Sequence, residues 1–530
     1  MKRSCVPWLC AVAFGVCSTG FSVVSFGQSS EEMKRQIDEL QRQLQILKER
    51  MDQMPREQPQ APQQQAAKPA AAAGQQPVER KDGDGIRFAT RGGEVSVYGN
   101  LDVSLDTTTK GIGGMHTANP PTSPPGNSGW MPAISTNLSY IGVRGFQELG
   151  GSSTQFVYQL ETQLDVSATS GTGLSNSNQS NQVKGGLTSR NSFIGLASPD
   201  WGAMKVGKTD APYKNSTARM NPFAGMLGDY SVIMGNSGGD NRVEFGTRVD
   251  HSLWYESPDW HGVRVNALYS PGQNRSLDSS NLSAGASDCT GGNAPGSGGL
   301  PVACNDGAFS NLYSGSLSFE SHNLYLTAAY EMHQKVNRTS DLPAFNAQDV
   351  ADENAYKFGL QYMLPTHTTI SYIYESMKRH VPDSLRDQDE RSRSGFWLAL
   401  SQEITEKDSL HLGWAHANRA HGDPGQHNPD PNAVPDANGF FPGADNRANM
   451  YTVAFKHKVD KNLSWYADYA MTVNHRFAHY DLGAGGRAVT TDCHDASNPD
   501  ASGFDPNGGA PHCWTGGRLQ GISVGMKYQF

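Results

Sequence analysis

The sequence predicts an all-β protein: a transmembrane antiparallel β-barrel of 16 strands, preceded by a short α-helical coiled coil. Three observations carry that expectation. From Glu94 onward apolar and polar residues alternate with a period of two, the signature of strands with one apolar and one wet face. The connections between these runs alternate between short turns and long loops. After the N-terminal leader no apolar run reaches the roughly eighteen residues that a membrane-spanning helix needs.

The elements follow in chain order. Residues 1–27 read as a secretory signal: Lys2 and Arg3 form a basic start, an apolar run extends from Cys5 to Phe26, and Ser25-Phe26-Gly27 offers small residues for cleavage. The formal charge of −9 falls by two, to −11, when Lys2 and Arg3 leave, an acidity that argues against a nucleic-acid partner. In residues 28–54 the apolar positions Met33, Ile37, Leu40, Leu44, Leu47, Met51 and Met54 recur at alternating spacings of four and three. That is a coiled-coil seam, and a helix so short needs partner helices to persist in water. Pro55 ends it. Residues 55–93 form a linker, rich in Pro, Gln and Ala over its first two-thirds, with no core of its own.

The barrel domain spans 94–530. In its first strand Val95, Val97, Gly99, Leu101, Val103 and Leu105 share one face; Ser96, Tyr98, Asn100, Asp102, Ser104 and Asp106 share the other. Soluble strands average about five or six residues, whereas a tilted strand crossing a bilayer needs about 9–11. The same alternation returns at Phe156–Leu164, Tyr356–Tyr362 and Ile522–Phe530. Short turns fall at 148–151, 198–202, 258–262, 321–323, 365–367, 405–407 and 460–462. Long loops rich in Gly, Asp, Asn and Pro fall at 107–133, 167–187, 209–243, 270–311, 334–353, 379–393, 419–447 and 475–518. An even strand number with short turns at one end and long loops at the other is the pattern of an outer-membrane barrel. Trp254, Trp260, Trp397, Trp414 and Trp465 sit near strand ends, where membrane-interface girdles are expected.

Gly202-Ala-Met-Lys-Val-Gly-Lys-Thr209 matches a phosphate-binding pattern by letter. That motif requires a helix after the lysine, and Asp210-Ala-Pro-Tyr-Lys214 has no helical period, so a strand running into a loop is the expectation. The loop itself, residues 209–243, shows neither period and carries glycines and charges. A connection of that length inside a barrel is expected to be functional, folded inward as a constriction.

Ser139-Tyr-Ile-Gly-Val-Arg-Gly-Phe-Gln-Glu-Leu-Gly-Gly151, with Phe156-Val-Tyr-Gln-Leu-Glu161 after it, resembles the first hairpin of the trimeric general porins of Gram-negative bacteria. Arg190-Asn-Ser-Phe-Ile-Gly-Leu196 with Gly207-Lys208, and Tyr255-Glu-Ser-Pro-Asp-Trp-His-Gly262, add to the likeness. Gly521-Ile-Ser-Val-Gly-Met-Lys-Tyr-Gln-Phe530 resembles the closing strand that the barrel assembly machinery reads through its last aromatic. The resemblance implies a homotrimer of sixteen-stranded barrels in outer-membrane lipid and lipopolysaccharide, passing small hydrophilic solutes and ions, each narrowed by its third loop. It implies wall bases at Arg144, Arg190 and Lys208, joined by Arg242 and Arg248 at the loop's return, with opposing acids at Asp229, Asp240 and Glu244. Fixed bases facing acids select ions by sign. The coiled coil, Lys208 where the family often has arginine, and the loosely matching Asn221–Asp229 depart from the pattern. Some substrate-selective trimeric porins also carry an N-terminal coiled coil. Selectivity for small anionic solutes and an envelope-tethering or adhesion role therefore stand as alternatives.

Four cysteines follow the leader, Cys289 and Cys304 in one long loop, Cys493 and Cys513 in another. An oxidising compartment favours local pairing within each loop, with the other connectivities open. Cys493-His494 and His512-Cys513 lack the spacing of a metal site. No cofactor, metal or catalytic constellation is expected: His251, His411, His416, His475 and His479 fall in no recognisable motif.

Overall fold

The computed structural model describes residues 85–109, 130–164, 166, 190–235, 245–271, 309–337, 350–380, 392–420, 445–475, 478, 480–483 and 516–530. The leader, the coiled-coil seam, most of the linker, the four cysteines, His479 and Asp240, Arg242 and Glu244 lie outside them. Eighteen extended runs are present: β1 (Ile86–Thr90), β2 (Gly93–Thr108), β3 (Met131–Thr136), β4 (Tyr140–Glu148), β5 (Gln155–Gln163), β6 (Ser192–Ser198), β7 (Gly202–Asp210), β8 (Arg248–Glu256), β9 (Val263–Pro271), β10 (Asn311–Ser321), β11 (Leu324–Asn337), β12 (Val350–Met363), β13 (Thr368–His380), β14 (Arg393–Glu403), β15 (Asp408–Ala417), β16 (Ala448–Lys458), β17 (Leu463–Asn474) and β18 (Arg518–Gln529).

These runs make sixteen staves of one closed antiparallel barrel. β3 and β4 are two halves of one stave, since both pair with β2, from Val103↔Thr136 to Thr108↔Met131 and from Gly93↔Gln147 to Asn100↔Tyr140. The break between them is bridged by side chains. Asn137 donates to Asp102 Oδ1 at 3.2 Å, Ser104 Oγ at 3.0 Å and Tyr466 Oη at 2.8 Å, and Ser139 Oγ exchanges hydrogen bonds with the Asp102 backbone. β1 folds back on the first residues of β2, below the end of β18. β18 pairs with β2 and β9 with β10, which closes the sixteen staves into a ring.

The period of two is what makes the wall. Leu105 points outward, 64% exposed, and its neighbour Asp106 points inward at 4%. The outer face is Leu, Ile, Val, Met, Tyr and Phe; the inner face is largely Ser, Thr, Asp, Glu, Lys and Arg. β2 runs for 16 residues and β11 and β12 for 14 each, ample for a tilted crossing. The short turns lie together at one end, the long connections at the other. Gly202 closes the turn before β7 at φ +91, where a Cβ would meet Glu256 O at 2.1 Å; only glycine fits. The phosphate-loop lookalike is strand throughout, and the helix after it, α1 (Pro212–Asn215), has only four residues and starts beyond Ala211 rather than at the lysine, unlike the long helix of a phosphate-binding loop.

The tryptophans divide in a way the girdle expectation did not foresee. Trp260, Trp414 and Trp465 are exposed, but Trp254 and Trp397 are buried inside the barrel. Parity explains the correction: Trp397 shares its face with Arg393, Gly395 and Ala399, the inward set of β14.

Candidate functional site

The connection from β7 to β8 turns into the barrel and lies along the inner wall. α1 starts at Pro212, pre-set for a first helical turn, and Tyr213 N–H donates to Ser314 Oγ at 3.0 Å. Tyr213 Oη donates to Glu375 Oε2 at 2.8 Å, and Lys357 Nζ stands 3.9 Å from its ring centroid. Burial, reinforced by Glu375, holds the Tyr213 hydroxyl well above its ordinary pKa. Farther on, Tyr325 Oη donates to Ser216 O at 2.8 Å, Arg219 pairs with Glu320 at 2.9 Å, and Trp397 Nε1 donates to Met220 O at 3.1 Å. Lys456 Nζ donates to Pro222 O and Arg393 Nη2 to Ile233 O. The return is fixed by Gly235 N–H to Glu375 Oε1 at 2.7 Å and Gly246 N–H to Glu331 Oε1 at 2.9 Å. There His333 lies between the rings of Phe245 and Phe309, at 4.7 and 5.8 Å.

Apolar contact holds the loop down. Met220, Phe223, Met226, Leu227, Tyr230, Val232, Ile233 and Met234 are buried in one cluster with Ile373, Trp397, Ala415, Met450, Ala454 and Ala470 of the wall. Phe223 meets Trp397 edge-on at 5.8 Å, and Tyr230 lies 5.2 Å from the same ring. Burying one such side chain stabilises by about 1.5–3 kcal/mol, so eight of them supply the adhesion while the hydrogen bonds to wall groups set the position. The loop therefore lies along β10–β18, with Gly225 also reaching Leu138 at the break between β3 and β4, and β4–β8 form the wall across from it.

That facing wall carries most of the expected bases. Arg144 stacks on the Tyr98 ring at 4.5 Å, and Arg190 on the Tyr140 ring at 4.7 Å. Arg190 Nε donates to Glu161 Oε1 at 2.5 Å. Burial pulls the Arg190 pKa down, but the Glu161 carboxylate outweighs it and the net shift is upward. Lys208 pairs with Asp250 at 2.7 Å, and Arg248 with Asp210 at 3.2 Å and Asn191 Oδ1 at 2.6 Å. Arg144, Arg190, Lys208 and Arg248 thus gather on neighbouring staves. Sequence reasoning passed over Lys205, which pairs with Glu256 at 2.6 Å, and the acids Glu161, Asp210 and Asp250. Inward parity within β5 and β7 marks Glu161 and Lys205.

Asp229 is engaged within its own loop. Its carboxylate accepts from Asn221 Nδ2 at 2.8 Å, Gly225 N–H at 3.0 Å and Ser231 N–H at 3.0 Å, capping the 3-10 turn Tyr230–Val232 within its own loop. The barrel itself adds acids: Asp102 and Asp106 on β2, and Asp468 on β17, all buried and inward. Asp106, Ser523 and Asp468 form one cross-strand row.

Comparison with known proteins agrees with this geometry. A family model described as Gram-negative porin matches residues 65–476. An outer membrane porin protein of Bordetella pertussis is 28% identical over 134 residues, covering 25% of this chain and 31% of that protein; the chain thus spans about a third of that relative's length. The anion-selective porin from Comamonas acidovorans superposes with a TM-score of 0.52 at 14% identity, over 83% of this chain and 100% of the other. At that identity the likeness speaks for the fold alone.

Proposed function

The chain belongs to the Gram-negative porin family, and on that premise we propose that it is an outer-membrane channel for passive diffusion of small hydrophilic solutes and ions, narrowed by its inward-folded third loop. The observation that carries this is the course of residues 211–235 along the inner wall, tied at Glu375 and Trp397. Arg144, Arg190, Lys208 and Arg248 line the passage, and the loop acids Asp229, Asp240 and Glu244 with Arg242 complete its field. The protein works as a homotrimer, its coiled-coil helices meeting in the periplasm, and Phe530 addresses the chain to the assembly machinery. A second reading, selectivity for small anionic solutes, is favoured by the run of bases on β4–β8.

Purified protein in planar bilayers tests the proposal. Discrete single-channel steps are expected, and deleting residues 215–238 is expected to raise their size. Absence of any conductance from a folded barrel overturns the channel reading; an unchanged step after the deletion overturns the role of the loop. Reversal potential in a salt gradient separates the anion-selective reading from the unselective one.

A further inference from the structure

We infer that the constriction has two jaws: Ala478 and Tyr480–Gly483, in the connection that follows β17, lie inside the barrel and clasp the tip of the third loop, so that the width of the passage depends on both. The inference rests on reading the chain as a channel. Asn474 shapes the incoming segment, donating to Tyr480 O at 2.8 Å and accepting from Tyr480 N–H at 3.0 Å. Thr472 Oγ1 donates to Asp481 O at 2.9 Å, and Gly516 N–H to Ala478 O at 2.8 Å. Ala478, Tyr480 and Asp481 are therefore held against the end of β17 and Gly516 before the chain reaches the third loop.

Contact between the loops is direct. Gly483 N–H donates to Leu227 O at 2.6 Å. Ala478, Tyr480 and Leu482 are buried in the same cluster as Met226, Leu227 and Ile233. Arg393 serves both loops, donating to Ile233 O while its guanidinium lies 6.0 Å from the Tyr480 ring centroid. Leu227 and Leu482 converge over Gly521, where a Cβ would lie 2.7 Å from one and 3.2 Å from the other. At Gly483 a Cβ would meet Met226 O at 2.5 Å, Asp229 N at 2.7 Å and Leu227 O at 2.7 Å. All three are backbone atoms, so no side-chain rotation relieves the contact and the two loops must part. A third loop gripped this way cannot be displaced alone.

The test is Gly483→Ala beside Asn474→Ala, which releases the segment without adding bulk. Gly315→Ala is the control, since a Cβ there meets only Asn266 O at 3.6 Å. With barrels shown to be folded by heat-modifiable mobility, both loop variants are expected to give larger, noisier single-channel steps, approaching the deletion of residues 215–238, while the control matches wild type. Amide exchange at residues 225–229 is expected to be slow in wild type and faster by about tenfold in the variants, as local opening becomes easier. If Gly483→Ala does not fold, Asn474→Ala carries the test. Wild-type steps and wild-type exchange in the folded variants overturn the clasp. A wild-type protein that passes no current refutes the channel reading instead, and the exchange measurement then decides the clasp by itself.

Discussion

Asp229 shows how far a single residue can be read from sequence. An acid in a long loop near expected wall bases suggests a pore charge, but the sequence does not say which donors will claim its oxygens. Three of them come from its own loop. Asp229→Asn replaces one accepting oxygen by a donor and leaves at least one loop N–H or the Asn221 amide unmatched, at a cost of about 1–3 kcal/mol. Open-channel noise should therefore rise, with a smaller effect on reversal potential. A large shift of reversal potential without added noise would make the field of the passage, rather than the shape of the loop, the main work of Asp229. Trp254 and Trp397 teach the opposite lesson: their inward positions were legible, because strand parity places each on the polar face, and proximity to a strand end obscured it.

At the scale of elements, the staves were legible and the inner loop only half so. Alternation fixes a strand's two faces, and loop lengths fix which end is which; neither says where an aperiodic segment goes. Yet residues 220–234 hold eight large apolar side chains in fifteen positions, too many for a solvated loop, and that count was the available sign of a buried one. The wall bases make a sharper prediction. Arg144 lies over Tyr98, and in a narrow passage with effective dielectric near 20 one charge acts at about 4 kcal/mol over 4 Å. Arg144→Gln should move the reversal potential towards cations, more at low salt than at high, because screening sets in over about 10 Å at 0.1 M. Arg190 needs a paired design: Arg190→Gln alone strands the fully buried Glu161, a loss of about 3–5 kcal/mol. Arg190→Gln with Glu161→Gln keeps the net charge and should leave ion preference near wild type. A shift from that double variant equal to that of Arg144→Gln would mean the ion pair is not acting as a unit.

For the whole molecule, closure and assembly are separate problems. Closure is local: Gly99 and Phe530 exchange backbone hydrogen bonds at 2.8 and 3.1 Å, and a Cβ on Gly99 would meet the Phe530 ring at 2.6 Å and Tyr140 O at 3.0 Å. Gly99→Val should lower the fraction of chains that reach the heat-modifiable barrel, and an undiminished fraction would show that the terminal ring moves aside. Assembly, as proposed, draws on a different part of the chain. The seam Met33, Ile37, Leu40, Leu44, Leu47, Met51 and Met54 gives three heptads of apolar contact, too few for a lone helix in water and enough when copies share the seam. In the proposed homotrimer the copies would come from barrels held side by side, so the linker of residues 55–93 would only have to bring the helices within reach of one another, at a high effective concentration. A peptide of residues 28–60 should then be helical and trimeric by circular dichroism and sedimentation, increasingly so with concentration. In the full chain, Leu40→Asp with Leu44→Asp puts two carboxylates per helix into the seam and should abolish crosslinking between the N-terminal segments. Barrel mobility and single-channel steps should be untouched, because no strand residue changes. A peptide that stays an unfolded monomer at every concentration, together with crosslinking that survives the double variant, would refute the zipper.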